Sequence, residues 1–258
     1  MDMPRNEFKA RLTDPGHQLG LWVASADPTV AEVCAGAGFD WLLLDAEHGP
    51  NDVRSLLAQL RAVHGHGPHA IVRPPSRDPD LVKQILDIGV QTLLVPMVES
   101  ADQARAMVRA MRYPPAGTRG VGSALARASR YNRVSGYLAK ADAQMCLLVQ
   151  VESTQAMERL DEIAAVDGVD GVFIGPSDLA ASMGRLGDAA HVEVRASVER
   201  GIARIVAAGK APGILAMDEA FARRSIELGC RFVAVGADIT ILARGTQALS
   251  AAFRPVPA

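Results

Sequence analysis

The chain has 258 residues, with 27 Lys plus Arg against 29 Asp plus Glu and a formal net charge of −2. That balance sets up no positive field for a polyphosphate backbone and argues against a nucleic-acid partner. Apolar residues make up 49% and charged residues 22%, as in a packed globular protein, and no apolar run approaches the roughly 18 residues needed to span a bilayer.

Along the chain, two patterns alternate. One is a short leucine-rich or β-branched run that suits a strand buried on both faces; the other is a longer segment with apolar residues at helical spacing. The spacing predicts strands over 20–24, 41–46, 69–74, 92–98, 145–152, 171–176, 211–215 and 232–236. Helices are predicted over 28–37, 51–63, 78–88, 100–111, 153–165, 192–208, 218–228 and 238–252. Asp27 before Pro28, Asn51, and Asp78 before Pro79 read as N-caps, and Gly38, Gly89, Gly209 and Gly229 as C-terminal stops. Eight strand–helix units in about 250 residues predict one (β/α)8 TIM barrel over 1–258, with a doubly wound open sheet as the alternative. The segment 112–135 is the longest interruption, and a loop of that length is more often functional than idle. Met1-Asp2-Met3-Pro4-Arg5 lacks the apolar core of a signal peptide. Cys34, Cys146 and Cys230 are few, distant and free of any C-x-x-C pattern, as expected of buried thiols in a reducing cytoplasm.

In such barrels the reacting groups sit where strands end. Glu152 and Asp178 close neighbouring strands, roughly 5 Å apart, so their carboxylates can converge on one ion. Hard oxygen ligands without cysteine suit Mg²⁺ or Mn²⁺, although two carboxylates opening helices would look the same. His48 follows strand two, with Asp45 and Glu47 beside it to set its tautomer. Arg73 ends an apolar run and offers a guanidinium to a carboxylate or an enolate oxygen, or to an ion pair with Asp45 or Glu47. Gly175-Pro176-Ser177 opens a helical turn whose N–H groups suit a carboxylate. His64, His66 and His69 crowd together before strand three, where a solvated loop at the stability face is expected. The chain has only four lysines, Lys9, Lys83, Lys140 and Lys210. None closes a strand at the mouth, so a carbonyl lyase built on this chain would use a metal rather than a Schiff base.

The runs Trp41-Leu42-Leu43-Leu44-Asp45-Ala46-Glu47-His48, Leu93-Leu94-Val95-Pro96-Met97-Val98, Tyr113-Pro114-Pro115-Ala116-Gly117-Thr118-Arg119-Gly120, Val149-Gln150-Val151-Glu152 and Val172-Phe173-Ile174-Gly175-Pro176-Ser177-Asp178-Leu179 resemble the class II pyruvate aldolases of the HpcH/HpaI family. The resemblance extends from about Gly20 to about Ala252. It implies a reversible, metal-dependent cleavage of 4-hydroxy-2-keto acids, such as 4-hydroxy-2-oxoheptanedioate, to pyruvate and an aldehyde such as succinic semialdehyde, in aromatic-compound catabolism. By the same resemblance Glu152 and Asp178 hold the metal (Mg²⁺ or Mn²⁺, with Co²⁺ a further candidate), His48 is the general base and Arg73 stabilises the enolate. Trp22, Asp45, Gln150, Gly175, Ser177, Asp178 and Leu215 fall among substrate-contact positions. Asp87 matches an aspartate that strengthens a neighbouring subunit's histidine. The family implies a homo-oligomer, a hexamer built as a trimer of dimers, with the C-terminal helix exchanged between subunits. Ser177 departs from the alanine many members carry there.

The distal end of the substrate is left open. Arg119, Arg127, Arg130 and Arg133 offer charge to a distal carboxylate, or form a structural segment at a subunit contact. A 2-keto-3-deoxy sugar-acid aldolase, a hydroxypyruvate/pyruvate aldolase of broad aldehyde range, a phosphoenolpyruvate-mutase or citrate-lyase type barrel, and a non-catalytic binding barrel are the competing expectations.

Overall fold

The computed structural model describes residues 1–254. Strands β1 (Gln18–Val23), β2 (Trp41–Asp45), β3 (His69–Arg73), β4 (Thr92–Val95), β5 (Cys146–Val151), β6 (Gly171–Ile174), β7 (Ala211–Leu215) and β8 (Phe232–Ala237) run parallel and close into a barrel in sequence order, β8 returning to β1. The predicted (β/α)8 barrel is the fold.

The helices in chain order are α1 (Glu7–Arg11), α2 (Pro28–Ala35), α3 (Val53–Ala62), α4 (Pro79–Asp87), α5 (Ala101–Met111), α6 (Tyr137–Gln144), α7 (Thr154–Glu158), α8 (Leu160–Ala164), α9 (Pro176–Ser182), α10 (Val192–Ala207), α11 (Glu219–Glu227) and α12 (Asp238–Ala252). Asp27, Asp78, Ser100, Ser153 and Asp218 cap the helices that follow them by accepting first-turn N–H groups. The cap predicted at Asn51 is instead Asp52, which forms a reciprocal capping box with Ser55. Asn51 turns inward, its Nδ2 donating to the Asp45 carbonyl at 2.7 Å. The single helix predicted over 153–165 is two, because Arg159 (φ −92°, ψ 10°) breaks the ladder between α7 and α8. Strand four stops at Val95 instead of 98. Pro96 has no N–H to continue the ladder, and Met97 takes a positive φ of 52°. The short helices α1 and α6 carried too little periodicity to be predicted.

Alternation along each strand sorts side chains between two cores. One parity faces the helix layer and forms a large aliphatic shell with Leu42, Leu44, Val72, Val149, Val172 and Ile214. The other parity fills the barrel with Trp41, Leu43, Ile71, Leu94, Leu148, Phe173 and Phe232. Gly20 sits opposite Trp41, and any Cβ there would run into the indole. Phe8 of α1 plugs the N-terminal end of the barrel, stacked on His69 at 5.5 Å and edge-on to Trp41 and Phe232. His69 is therefore not part of the solvated loop that His64 and His66 occupy. Its Nε2 is 2.8 Å from Thr92 Oγ1, and burial holds its pKa down at about 4.

Candidate active site

The interior parity, followed to the C-terminal end of each strand, ends in polar side chains. Trp41-Leu43 leads to Asp45, His69-Ile71 to Arg73, Cys146-Leu148 to Gln150 and then Glu152, and Gly171-Phe173 to Gly175. The β2–β3 register places Asp45 directly beside Arg73. These groups underlie an open cavity of about 510 Å³. Trp22, His48, Arg73, Gln150, Gly175, Ser177, Asp178 and Leu215, all named from the sequence, line it.

Arg73 is buried and clamped. Its Nε and Nη2 donate to the two Asp45 oxygens at 2.9 and 2.6 Å, and its Nη1 lies 2.9 Å from Glu47 Oε2. The guanidinium also packs 5.0 Å from the Trp22 ring centroid. Burial alone would raise the Asp45 pKa, but the Arg73 partner, with the Glu47 N–H and Trp22 Nε1–H, holds the carboxyl below its usual range. Asp45 is only 2% exposed and also takes a 3.2 Å bond from Trp22 Nε1 and a 3.0 Å bond from the Glu47 N–H. Asp45, expected among the substrate contacts, does not line the cavity, and it holds Arg73. His48 projects into the cavity, with Glu47 Oε2 its nearest carboxylate at 3.9 Å. Glu47 thus pairs with the arginine and stands near the histidine. Burial raises its pKa despite the opposing charge of Arg73.

Glu152 is buried behind the cavity wall. Its Oε1 accepts the Met97 N–H at 2.9 Å, and its Oε2 takes Gln150 Nε2. Burial drives its pKa up to about 7 against the pull of the Met97 N–H, and the nearby charges of Asp178 and Glu47 add to the rise. Gly175 faces this carboxylate so closely that any Cβ would collide with Glu152 Oε2 and with Gln150. Gln150 Oε1 is buried without a partner. At the N-terminus of α9 no side chain caps the first turn, so the Ser177 and Asp178 N–H groups have no side-chain acceptor there. A buried carboxylate, Glu152, near the charge of Asp178 and with the unpartnered Gln150 amide oxygen alongside, fits a hard divalent cation. No group of three or more His, Cys, Asp or Glu gathers at metal-binding distance among the described residues.

Asp87 does not join this site. It ends α4, at the opposite end of its own barrel, and its Oδ1 accepts Arg119 Nη2 at 2.8 Å. The arginines of 112–135 lie on that same far face. Arg119 is buried against Tyr113, and Arg127 donates to the Ile88 carbonyl. None of them meets a substrate in the mouth of this chain. The sequence reading missed Met97, whose backbone positions Glu152, and Arg195 of α10, which lines the cavity. Pro96 was the available signal for the first. The second, a cation in the first turn of a helix, sits against the helix dipole.

A histidine, a clamped arginine and two carboxylates near the mouth of a parallel barrel suit an enzyme that makes and breaks bonds beside a carbonyl group. The HpcH/HpaI aldolase/citrate lyase family matches residues 18–244, and the chain belongs to that family. It is a carbon–carbon lyase. It is 60% identical over 254 residues to a hydroxypyruvate/pyruvate aldolase of Pseudomonas aeruginosa, covering 98% of this chain and 95% of that one. It is 57% identical over 248 residues to a 4-hydroxy-2-oxo-heptane-1,7-dioate aldolase of Shigella sonnei, covering 96% and 95%. A crystal structure of a family protein from Burkholderia cenocepacia J2315 superposes with a TM-score of 0.92 at 42% identity, over 96% of this chain and 100% of that one.

Proposed function

We propose that the chain is a divalent-metal-dependent aldolase that cleaves 4-hydroxy-2-keto acids, 4-hydroxy-2-oxoheptanedioate among them, to pyruvate and an aldehyde such as succinic semialdehyde, and runs in reverse. The observation that supports this reading is the Arg73 guanidinium, fixed by Asp45, Glu47 and Trp22 in one cavity with His48 and Asp178, with Glu152 buried behind the wall.

Glu152 and Asp178 would hold the cation, Mg²⁺ or Mn²⁺, which when bound supplies Lewis-acid polarisation of the 2-keto group. The Ser177 and Asp178 N–H groups receive the substrate carboxylate. His48 takes the proton of the C4 hydroxyl. As the C3–C4 bond breaks, its electron pair moves toward the ketone oxygen, where Arg73 donates to the developing enolate. A preorganised donor of this kind contributes about 3 kcal/mol to the barrel's catalysis. Return of the proton from His48 to C3, directly or through water, releases pyruvate. Arg73 is already desolvated and oriented, so little reorganisation accompanies the step.

The identity to the Pseudomonas aeruginosa relative favours a second substrate, hydroxypyruvate as the donor in condensation. We further infer a homo-oligomer, a trimer of dimers, in which α12 packs on a neighbouring barrel and Asp87 reaches a neighbour's His48. The side chains of Ile239, Leu242 and Leu249 exposed on α12, and the Asp87 oxygen left over beside Arg119, support this reading.

The test is pyruvate release from 4-hydroxy-2-oxoheptanedioate by the purified protein, coupled to lactate dehydrogenase, with and without Mg²⁺ or Mn²⁺. Turnover should require added metal. Full activity in excess EDTA refutes the metal role, and no pyruvate from a panel of such acids refutes the aldolase reading.

A further inference from the structure

The cavity has two ends of different chemistry. At the floor are Arg73, Gln150 and the Gly175–Asp178 turn, which the proposed reaction uses. The outer wall is mostly apolar, with Leu215, Ala216, Met217 and Phe221 on the β7 side and Ala189 and Ala190 ahead of α10. One cation interrupts that wall, Arg195, and the reaction as described gives it nothing to do.

Arg195 is poorly paired and well positioned. Its guanidinium lies over the Phe221 ring, 4.8 Å from the centroid. Its single hydrogen bond is a long one, Nη2 to Asp218 Oδ1 at 3.4 Å. That oxygen is already engaged, since it accepts the Phe221 N–H at 2.9 Å as the cap of α11. Arg195 Nε is buried with no partner at all. An arginine carries five donors in a planar fork suited to a carboxylate, and here most of them have no protein partner. The aromatic shelf fixes the plane of the fork, so ordering it costs little on binding. A cation in the first turn of α10 also opposes the helix dipole, and a bound anion would offset that cost.

We propose that Arg195 determines substrate specificity by binding a carboxylate at the distal end of the aldehyde-forming half of the substrate. This rests on the aldolase reading above and names its substrate class: 4-hydroxy-2-keto dicarboxylates in cleavage, and ω-carboxylated aldehydes such as semialdehydes in condensation. The apolar wall between the two charged ends receives the intervening methylene groups. Arg195 takes no part in bond breaking; it sets affinity and reach.

The experiment compares 4-hydroxy-2-oxoheptanedioate with 4-hydroxy-2-oxoheptanoate, which has the same chain without the distal carboxylate, in the metal-supplied protein. The wild type should show the lower KM for the dicarboxylate, and that KM should rise with ionic strength. Arg195→Met should raise KM for the dicarboxylate about tenfold while leaving kcat, and both parameters for the monocarboxylate, within about twofold, as expected for loss of one charged hydrogen-bonding partner. Arg195→Lys should recover part of the loss, which a merely packed residue would not show. Equal effects on both substrates, or none on either, overturn the proposal. Cleavage of both by the wild type without preference overturns it and leaves the aldolase reading standing, whereas release of pyruvate from neither removes both.

Discussion

Asp45 shows how much of a site is made by residues that never meet the substrate. Its carboxylate collects two Arg73 donors, the Trp22 indole N–H and the Glu47 backbone N–H, so a single side chain sets the aim of the arginine, the tilt of the indole and the path of the loop carrying His48. Asp45→Asn keeps the volume but turns an amide N–H₂ toward the guanidinium. It should lower stability by about 3 kcal/mol in denaturant unfolding, the usual cost of breaking a buried pair from one side, and reduce kcat more than KM, because Arg73 is then misplaced for the transition state. An unchanged unfolding midpoint would show that Glu47 alone suffices to hold Arg73. The residues that line the cavity were legible because strand ends and family motifs are both properties of the sequence. The division of labour among them was not, because Asp45, Glu47 and Arg73 form one network whose donors and acceptors are counted only in three dimensions.

At the scale of elements, α1 and the start of β3 form a closure beneath the barrel. Asn6 Nδ2 donates to Thr92 Oγ1 at 3.0 Å, leaving the threonine proton for His69 Nε2, an arrangement that suits a neutral imidazole stacked on Phe8. The folded pKa of His69, about 4, lies below its ordinary value of 6.5, so between these limits the unfolded chain binds the extra proton. The stabilisation is complete above pH 6.5 and is lost as pH falls toward 4, by about 2–3 kcal/mol. Urea melts at pH 7.5 and pH 4.5 should show that extra loss in the wild type and not in His69→Gln. Parallel losses in both proteins would place the acid sensitivity elsewhere. The eight strands were readable because buried parallel strands are continuous apolar runs. The breaks at Pro96-Met97 and Arg159 were not, since a helical or strand-like pattern persists in side chains while the backbone departs from it. Helix α1 escaped notice for a related reason: its contribution is one phenylalanine docked at long range, with no periodicity of its own.

For the molecule as a whole, α12 carries a run of exposed apolar side chains on a single helix. Ile239, Leu242, Leu249 and Phe253 fall on one stripe of its axis and are 47–84% exposed, and a stripe of that kind on a C-terminal helix is a surface awaiting a partner. Light scattering should give a multiple of the monomer mass for the wild type, and the double change Leu242→Arg with Leu249→Arg should shift it toward the monomer without loss of helical and strand signal in circular dichroism. A monomeric wild type would contradict the assembly.

The plug beneath the barrel also governs traffic. With Phe8, Trp41 and Phe232 sealing one end, traffic to the cavity runs through the other end of the barrel, where Ala189, Met217 and Phe221 are among the lining residues. In the proposed reaction the keto-acid half would bind at the Arg73 end and the aldehyde half nearer the opening, so the aldehyde would depart first and pyruvate after it. Condensation then loads in the mirror sequence, and the donor is shielded from bulk water once the acceptor has arrived.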